Sequence, residues 1–497
     1  MSYVLSVDQS TQGTKALLFD TAGNLICRRD VAHEQKINSK GWVSHDPEEI
    51  YRNTVESVRR VLETAGIDAG AVAALGISNQ RETSVCWEKG TGEPIADAIV
   101  WQCGRAKELC KRVEDAGWAE TVCAATGIPI SPFFPASKFA WLVENVPGAA
   151  EKARTHWLCF GTIDAWLVYK LTGGKSYKTD YSNASRTQLF NIHTLQWDER
   201  VCAAFGLDPA DLPEVVSSDA CFGMTDIGGV LPRKIPICGV LGDSHAALFG
   251  QGCLRSGMAK ATYGTGSSIM MNIGKDSIES KNGLVTSLAW KFRGEVNYVM
   301  EGNLNYTGAV LRWLEKDVGL CKASETQALA EAANPEDTTY LVPAFTGLGA
   351  PYWDNEAKAM ICGITRLTGK AEIARAALDC IAYQITDVVE AMQKDTGLAL
   401  AQLQVDGGPT RNGYLMQLQS NLLNAQVRVP SSEELSGIGA AYMAGLTAGV
   451  FTDDIFSLLN YSYYVPKMGV DTRQKKYGGW LGAVRMILGD SQSLRNL

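Results

Sequence analysis

Asp8 ends a short apolar run, Val4 to Val7, and is followed by Ser10, Thr11, Gln12, Gly13, Thr14 and Lys15 before a second apolar run, Ala16 to Phe19. A turn of that composition offers free backbone N–H groups, hydroxyls and a positive charge to an anion, with Asp8 placed to hold a metal on it. An ordinary surface hairpin has much the same residues, so the stretch gains weight only from what lies further on. Gly242-Asp243 closes another buried run, Ile235 to Leu241, and opens a helical stretch through Phe249. A carboxylate at such a junction has a fixed direction, and its ordinary role there is that of a helix N-cap. Gly264-Thr265-Gly266 joins two further strand-like runs, and Asp406-Gly407-Gly408 breaks a third. Two glycine hairpins and a late glycine break could grip one nucleotide from both sides. A Walker loop is absent: the GKS at Gly174 to Ser176 lacks its leading glycine, and Gly369-Lys370 is followed by Ala371.

The elements that must position these residues read as a repeated pattern. After the first hairpin comes a third strand, Asn24 to Val31, and then a helix with Asp46 as N-cap, Pro47 at its first position, Glu49 completing a capping box and Gly66 as the stop. Val72 to Ser78 is an apolar strand ending on Asn79, Gln80, Arg81, Glu82 and Thr83. Short strands follow at Val85 to Trp87 and Ala98 to Trp101, then a rigid aromatic loop, SPFFP, at 131–135. Trp157 to Leu171 reads as helical and 173–200 as an irregular connection with hairpin character. Met258 to Tyr263 and Ser267 to Asn272 repeat the strand-turn-strand design of the N-terminus, which predicts a duplicated fold whose halves face a cleft. Later come a strand at Val296 to Met300, a helix after Asn305, a long helix from about Ala371 to Gln393, the strand Leu403 to Val405, a helix over Asn412 to Leu423, and a small-residue helix, SGIGAAYMAGL, at 436–446 that suits close packing on a sheet. Beyond about 455 no pattern is visible.

Composition narrows the field. At 497 residues the chain exceeds one hydrophobic core, so two large domains are expected. A net charge of −8 without a basic tract argues against nucleic acid. No signal peptide and no apolar run of membrane-spanning length stand out, so a cytoplasmic protein without a membrane partner is expected. Thirteen cysteines, scattered from Cys27 to Cys380 without a Cys-x-x-Cys pair, form neither a zinc spacing nor a compact disulfide framework. His245, beside Asp243 and Ser244, does not make a triad, because neighbours at a helix start do not face one another.

The segments VDQSTQGTK, NQRETSVCWEKGTGEPI, AIVWQC, GTIDAWL, TDYSNASRTQLFNIHTLQW, GDSHAALFGQ, YGTGSS, VPAFTGLGAPYWD and VDGG resemble the FGGY carbohydrate kinase family, and its glycerol kinase branch above all. Phe133 to Asn145 is similar to that family's first signature and Ala359 to Asp379 to its second. The resemblance implies an α/β fold of two ribonuclease H-like, actin-like ATPase domains facing a central cleft: residues 1–250 for acceptor and phosphates, 251–455 for the nucleotide, and 456–497 as an appendage. It also implies ATP with Mg²⁺, transfer of the γ-phosphoryl group to a small polyol or sugar, and leaves a homodimer open. By residue-wise match Asp243 is the catalytic base and Asp8 orients Mg²⁺ through water. Thr11, Gln12, Gly13, Lys15, Thr265, Gly308, Arg312, Gly408 and Asn412 fall on the nucleotide, and Arg81, Glu82, Trp101, Phe133, Asp243, Ser244 and Ser268 on the acceptor.

Trp101 offers an apolar wall to carbon-bound hydrogens, and Arg81 with Glu82, otherwise a surface ion pair, can satisfy adjacent hydroxyls. The chain departs from glycerol kinase at Phe133 (tyrosine there), Ser244 (glutamine), Ser268 (phenylalanine) and Lys15 (arginine). Two of these shorten a side chain in the acceptor pocket and one removes a hydroxyl, which predicts a roomier pocket for a four- or five-carbon polyol or a ketose. Lys15 keeps the charge without the bidentate fork. The loop Gly228 to Lys234 lacks the glycine-rich form seen where a sugar bisphosphate regulates some relatives. Two alternatives remain: a ketose kinase of the same family, such as one for xylulose, and an actin- or chaperone-like nucleotide-binding module without a small acceptor.

Overall fold

The computed structural model describes residues 2–488. In the first half β1 (Tyr3–Gln9) and β2 (Gly13–Phe19) form the expected antiparallel hairpin with Asp8 opposite Lys15, and β3 (Leu25–Ala32) extends it. β4 (Val72–Asn79) and β5 (Ile235–Gly242) add in parallel on the far side of β1, giving the order β5-β4-β1-β2-β3. The second half repeats this plan. β6 (Met258–Tyr263) and β7 (Ser267–Gly274) are antiparallel, β8 (Val285–Phe292) and β9 (Glu295–Leu304) continue beyond β7, and β10 (Gln402–Asp406) and β11 (Val427–Pro430) run parallel on the far side of β6. The result is the duplicated ribonuclease H-like α/β fold.

This topology decides where chemistry can sit. The carboxyl ends of β1, β4 and β5 emerge at one sheet edge, since Asp8 pairs with Ser78 and Gly242 with Asn79. In the second sheet the ends of β6 and β10 emerge together, with Thr262 opposite Asp406. Crevices outside the carboxyl ends of parallel strands are where α/β folds bind ligands.

Helices cover the sheets. α1 (Pro47–Ala65) starts on Asp46, whose carboxylate accepts from the Glu48 N–H, and stops at Gly66 in the left-handed conformation. The expected capping box does not close: Glu49 instead accepts from the Glu34 N–H at 3.3–3.4 Å. α2 (Pro135–Asn145) follows the aromatic loop. Trp157 to Leu171 is not helical throughout; Leu158–Thr162 is a strand paired with Ser84–Glu88, and the helix starts at Ile163. A run buried on every side has no periodicity by which strand and helix could be told apart. α3 (Asp243–Gly250) follows β5 directly, α4 (Lys370–Thr396) and α5 (Gly413–Leu423) pack in the second half, and α6 (Leu435–Thr447) is the small-residue helix. Although late in the chain, α6 packs on α3, β4 and β1 of the first half. Gly439 makes this possible, because a Cβ there would lie 1.8 Å from the Ala246 carbonyl oxygen.

The C-terminal stretch expected as a patternless appendage is built into the second half instead. β12 (Tyr461–Tyr464) pairs with β11. α7 (Val470–Leu488) buries Trp480, stacked on Tyr383 at 5.4 Å, with its indole N–H on Asp387 Oδ2 at 2.8 Å. The remainder of the expected appendage, 489–497, lies outside the described residues. No helix among the described residues is long and apolar enough to cross a membrane.

Candidate active site

The Asp243 carboxylate is fixed from behind. The Gly242 N–H donates to Ser182 Oγ (2.9 Å), whose hydroxyl donates to Asp180 Oδ1 (2.9 Å), locking the end of β5. Gly242 takes the N-cap position of α3, so Asp243 stands in the first turn and is not the cap. Its Oδ1 accepts from the Ser244 N–H at 2.6 Å and lies 3.3 Å from Arg81 Nε, while the side chain stays 37% exposed. Asp243 thus keeps access to a ligand that most charged groups around it have lost.

Arg81 does not form a simple pair with Glu82, whose Oε1 is 3.9 Å from its Nε. Its two terminal nitrogens donate to Glu301 Oε2 and Oε1 at 3.0 and 2.9 Å, a bidentate contact to a buried carboxylate in the other half of the molecule. Glu82 is held by Arg186 Nε at 2.6 Å, Arg186 lies 3.0 Å from Glu301, and Ser268 Oγ donates to Glu301 Oε1 at 3.1 Å. Arg81, Glu82, Asp243 and Ser268 are therefore gathered by two residues that the sequence reading passed over. Burial alone would raise the Glu301 carboxyl, but Arg186 and Arg81 outweigh it and hold the group well below the ordinary range. On the opposite wall the Trp101 indole N–H donates to Thr11 Oγ1 at 3.0 Å, and Phe133 meets the Trp101 ring edge-on at 5.5 Å. One contact thereby ties Trp101 to the first hairpin.

At the first hairpin, Asp8 is buried and accepts from Ser78 Oγ at 3.0 Å. Lys15 Nζ lies 4.0 Å from Asp8 and donates to Glu434 at 3.0 Å; Arg28 also pairs with Glu434. Gln12 is exposed at the turn and Gly13 is half-buried. In the second hairpin the Gly264 carbonyl accepts from the Gly308 N–H at 2.9 Å, and the Thr265 carbonyl from the N–H groups of Thr307 (2.9 Å) and Ala309 (3.1 Å). A Cβ at Gly308 would stand 2.7 Å from the Gly264 oxygen and 3.6 Å from Pro409, so Thr265, Gly308 and the open Gly408 stretch share one corner. Asn412 caps α5 through the Leu415 N–H (3.0 Å) and donates to Thr326 at 3.3 Å. Arg312 is exposed at the far end of the short helix Gly308–Arg312, and its side chain makes no hydrogen bond or ion pair among the described residues.

Electrostatics joins the two sides. Burial pushes the Asp8 carboxyl up to about 6; Lys15 opposes this, and Asp243 and Glu434 push further in the same direction. A cation held beside Asp8 would relieve this cost, since it favours the ionised carboxylate. Among the described residues no group of three or more His, Cys, Asp or Glu could enclose a metal. Two carboxylates without a protein cage fit Mg²⁺, which keeps several of its waters. His245 is wholly buried with both ring nitrogens unpartnered, and burial beside Arg81 holds it neutral, in keeping with its exclusion from a triad.

Residues 3–250 match the FGGY family of carbohydrate kinases, N-terminal domain, and residues 259–448 its C-terminal domain. The chain is 46% identical over 490 residues to glycerol kinase 1 of Thermotoga maritima, covering 98% of this chain and 99% of that protein. It is 43% identical over 491 residues to glycerol kinase of Xanthomonas axonopodis pv. citri, covering 98% of each. The crystal structure of Plasmodium falciparum glycerol kinase with ADP superposes with a TM-score of 0.93 at 34% identity, over 100% of this chain and 99% of that one. Ligand-bound xylulose kinase from Lactobacillus acidophilus shares the fold, with a TM-score of 0.89 at 20% identity over 99% of each chain.

Proposed function

The chain belongs to the FGGY family of carbohydrate kinases, and from that premise we propose that it transfers the γ-phosphoryl group of ATP to a hydroxyl of a small polyol longer than glycerol. The observation that carries this reading is Asp243, partly exposed at the end of β5, paired with Arg81 and electrostatically opposed to Asp8.

Asp243 accepts the proton of the attacking hydroxyl as the new O–P bond forms; the bond between the γ-phosphorus and the bridging oxygen breaks, and ADP leaves. A positioned general base contributes about 10² to 10⁴ in rate. Arg81 and Glu82, restrained by Glu301 and Arg186, present a donor and an acceptor to neighbouring hydroxyls, while Trp101 and Phe133 cover the carbon-bound hydrogens. The hairpin stretches 10–15 and 264–266 and the residues after Gly407 supply N–H groups to the phosphates, and closure of the halves keeps water from the γ-phosphorus. Mg²⁺ held near Asp8 would neutralise charge between the β- and γ-phosphates.

Ser244 and Ser268, with Phe133 lacking a hydroxyl, support the longer acceptor: serines in place of bulkier side chains leave room for further carbons that glycerol does not fill. A coupled ADP-release assay across glycerol, tetritols, pentitols and ketopentoses tests this. The highest kcat/KM is expected for a four- or five-carbon polyol. Glycerol as the best acceptor would overturn the larger pocket, a ketopentose would favour the ketose kinase alternative, and ATP turnover indifferent to every acceptor would overturn the reading as a whole.

A further inference from the structure

Lys138 stands within the first turn of α2 and is completely buried. Its Nζ nevertheless meets three carbonyl oxygens from three separate stretches of chain: Glu82 at 3.3 Å, Trp101 at 3.2 Å, and Phe133 in a short hydrogen bond. Each of those carbonyls belongs to a residue of the acceptor wall. A helical side chain points back toward its own N-terminus, which brings the ammonium beneath the loop that leads into α2.

The local electrostatics disfavour a lysine here. The first turn of a helix carries partial positive charge, Arg105 adds more, and burial penalises the ammonium. What favours it is donor count, since an ammonium has three N–H bonds and three carbonyls converge on it. The Glu82 backbone has φ of 59°, the left-handed region that a residue with a side chain rarely adopts. Its carbonyl is fixed there by Lys138 and by Ser84 Oγ at 3.2 Å.

We infer that Lys138 is a positioning residue for the acceptor: by clamping the carbonyls of Glu82, Trp101 and Phe133 it sets the shape of the polyol site without touching the polyol. The inference rests on the polyol kinase reading above. It gives acceptor binding a pH dependence. Burial pulls the Lys138 ammonium down to about 7, with Glu82 opposing. The other groups facing it are Arg105 and the thiols of Cys103 and Cys110. Burial raises Cys110, whereas at Cys103 it is outweighed by hydrogen bonds from Arg105 and the Val43 N–H, which lower that thiol. As pH rises through about 7 the clamp loses one of its three donors, and acceptor KM rises.

The test is steady-state kinetics on the full chain with the best acceptor from the screen. Lys138→Met, which keeps the length and removes every donor, should raise acceptor KM by about tenfold or more and leave KM for ATP within about twofold. Lys138→Gln, with two donors, should recover part of the loss. In the wild type acceptor KM should climb between about pH 6 and pH 8.5 while KM for ATP does not. Should Lys138→Met fail to fold, the wild-type profile decides, and a flat acceptor KM overturns the clamp. Equal rises in both KM values in Lys138→Met would also overturn it, since they mark general loosening. A protein inert toward every acceptor overturns the kinase reading together with the clamp, whereas an active protein with a flat profile overturns the clamp alone.

Discussion

Glu301→Gln removes one charge from the seam between the two halves and changes little else, since glutamine has nearly the same volume. In the wild type this carboxylate accepts both terminal nitrogens of Arg81 at 2.9 and 3.0 Å and lies 3.0 Å from Arg186, all three side chains being buried. Breaking a buried, hydrogen-bonded ion pair by removing one partner costs about 3–5 kcal/mol, because the remaining charge stays out of water. Here the lower figure applies: Glu82 still neutralises Arg186 at 2.6 Å and Asp243 still faces Arg81 at 3.3 Å. For a unit of roughly 150–250 residues, 3 kcal/mol lowers the unfolding midpoint by about 6–12 °C. Activity should suffer as well. Arg81, freed from Glu301, is no longer held in place beside Asp243 and Glu82, so both kcat and acceptor affinity fall. Differential scanning calorimetry and the coupled assay on the same preparation read the two effects. Because Arg186 and Arg81 hold the Glu301 carboxyl low against burial, its contribution is complete above the ordinary carboxylate range and disappears as pH falls through the depressed value. The variant and the wild type should therefore converge in stability only in strong acid. An unchanged midpoint at neutral pH with unchanged acceptor KM would refute the reasoning, since the arginines would then owe nothing to Glu301.

Three further outcomes follow from the site. Asp8→Asn should abolish turnover yet raise the unfolding midpoint of the ligand-free protein at pH 7.5, because a carboxyl raised from 3.8 to about 6 weakens the fold by about 3 kcal/mol once ionised. The gain should disappear as pH is lowered toward 4, and a destabilised variant at neutral pH would contradict it. Trp101→Phe keeps the ring and deletes the 3.0 Å bond to Thr11, so kcat/KM for the acceptor should fall by about fivefold, equivalent to about 1 kcal/mol; the acceptor screen checks this. Ser268→Phe should restore a bulky wall beside Glu301 and shift the kcat/KM ratio of glycerol over a pentitol by about tenfold toward glycerol, and no shift would remove Ser268 from the specificity of the pocket.

Much of the frame was legible in the chain because it is local. The hairpin at Asp8 to Lys15, the Gly264 to Gly266 turn and the Asp46 and Gly66 limits of α1 are written in turn and cap chemistry, which acts over a few residues. The backbone contact at Gly439 follows the same logic, since a run of small residues serves close approach. What stayed hidden depends on partners far away in sequence. Glu301 is one acid in a strand, and its partner Arg81 lies 220 positions earlier. Lys15 read as a free cation for phosphate, but Glu434, from the end of the chain, meets it at 3.0 Å. Arg186 and Lys138 sit in stretches read as an irregular connection and as a family signature, and only their burial among carbonyls and carboxylates reveals a task. The C-terminal helix escaped notice although Trp480, Ala483 and Val484 are buried on one face with Ile487 and Leu488 beside them, because Gly478, Gly479 and Gly482 dilute that pattern with poor helix formers.

The central claim is that Asp243 takes the proton of the acceptor hydroxyl. Single-turnover phosphoryl transfer by Asp243→Asn, at saturating ATP and with the preferred acceptor, tests it most directly. Arg81 keeps its bidentate bond to Glu301 in that variant and no buried charge is stranded, so ATP affinity and the unfolding midpoint should match the wild type while the transfer rate falls by about a hundredfold or more. A transfer rate within about tenfold of the wild type would contradict the assignment of Asp243 as the base.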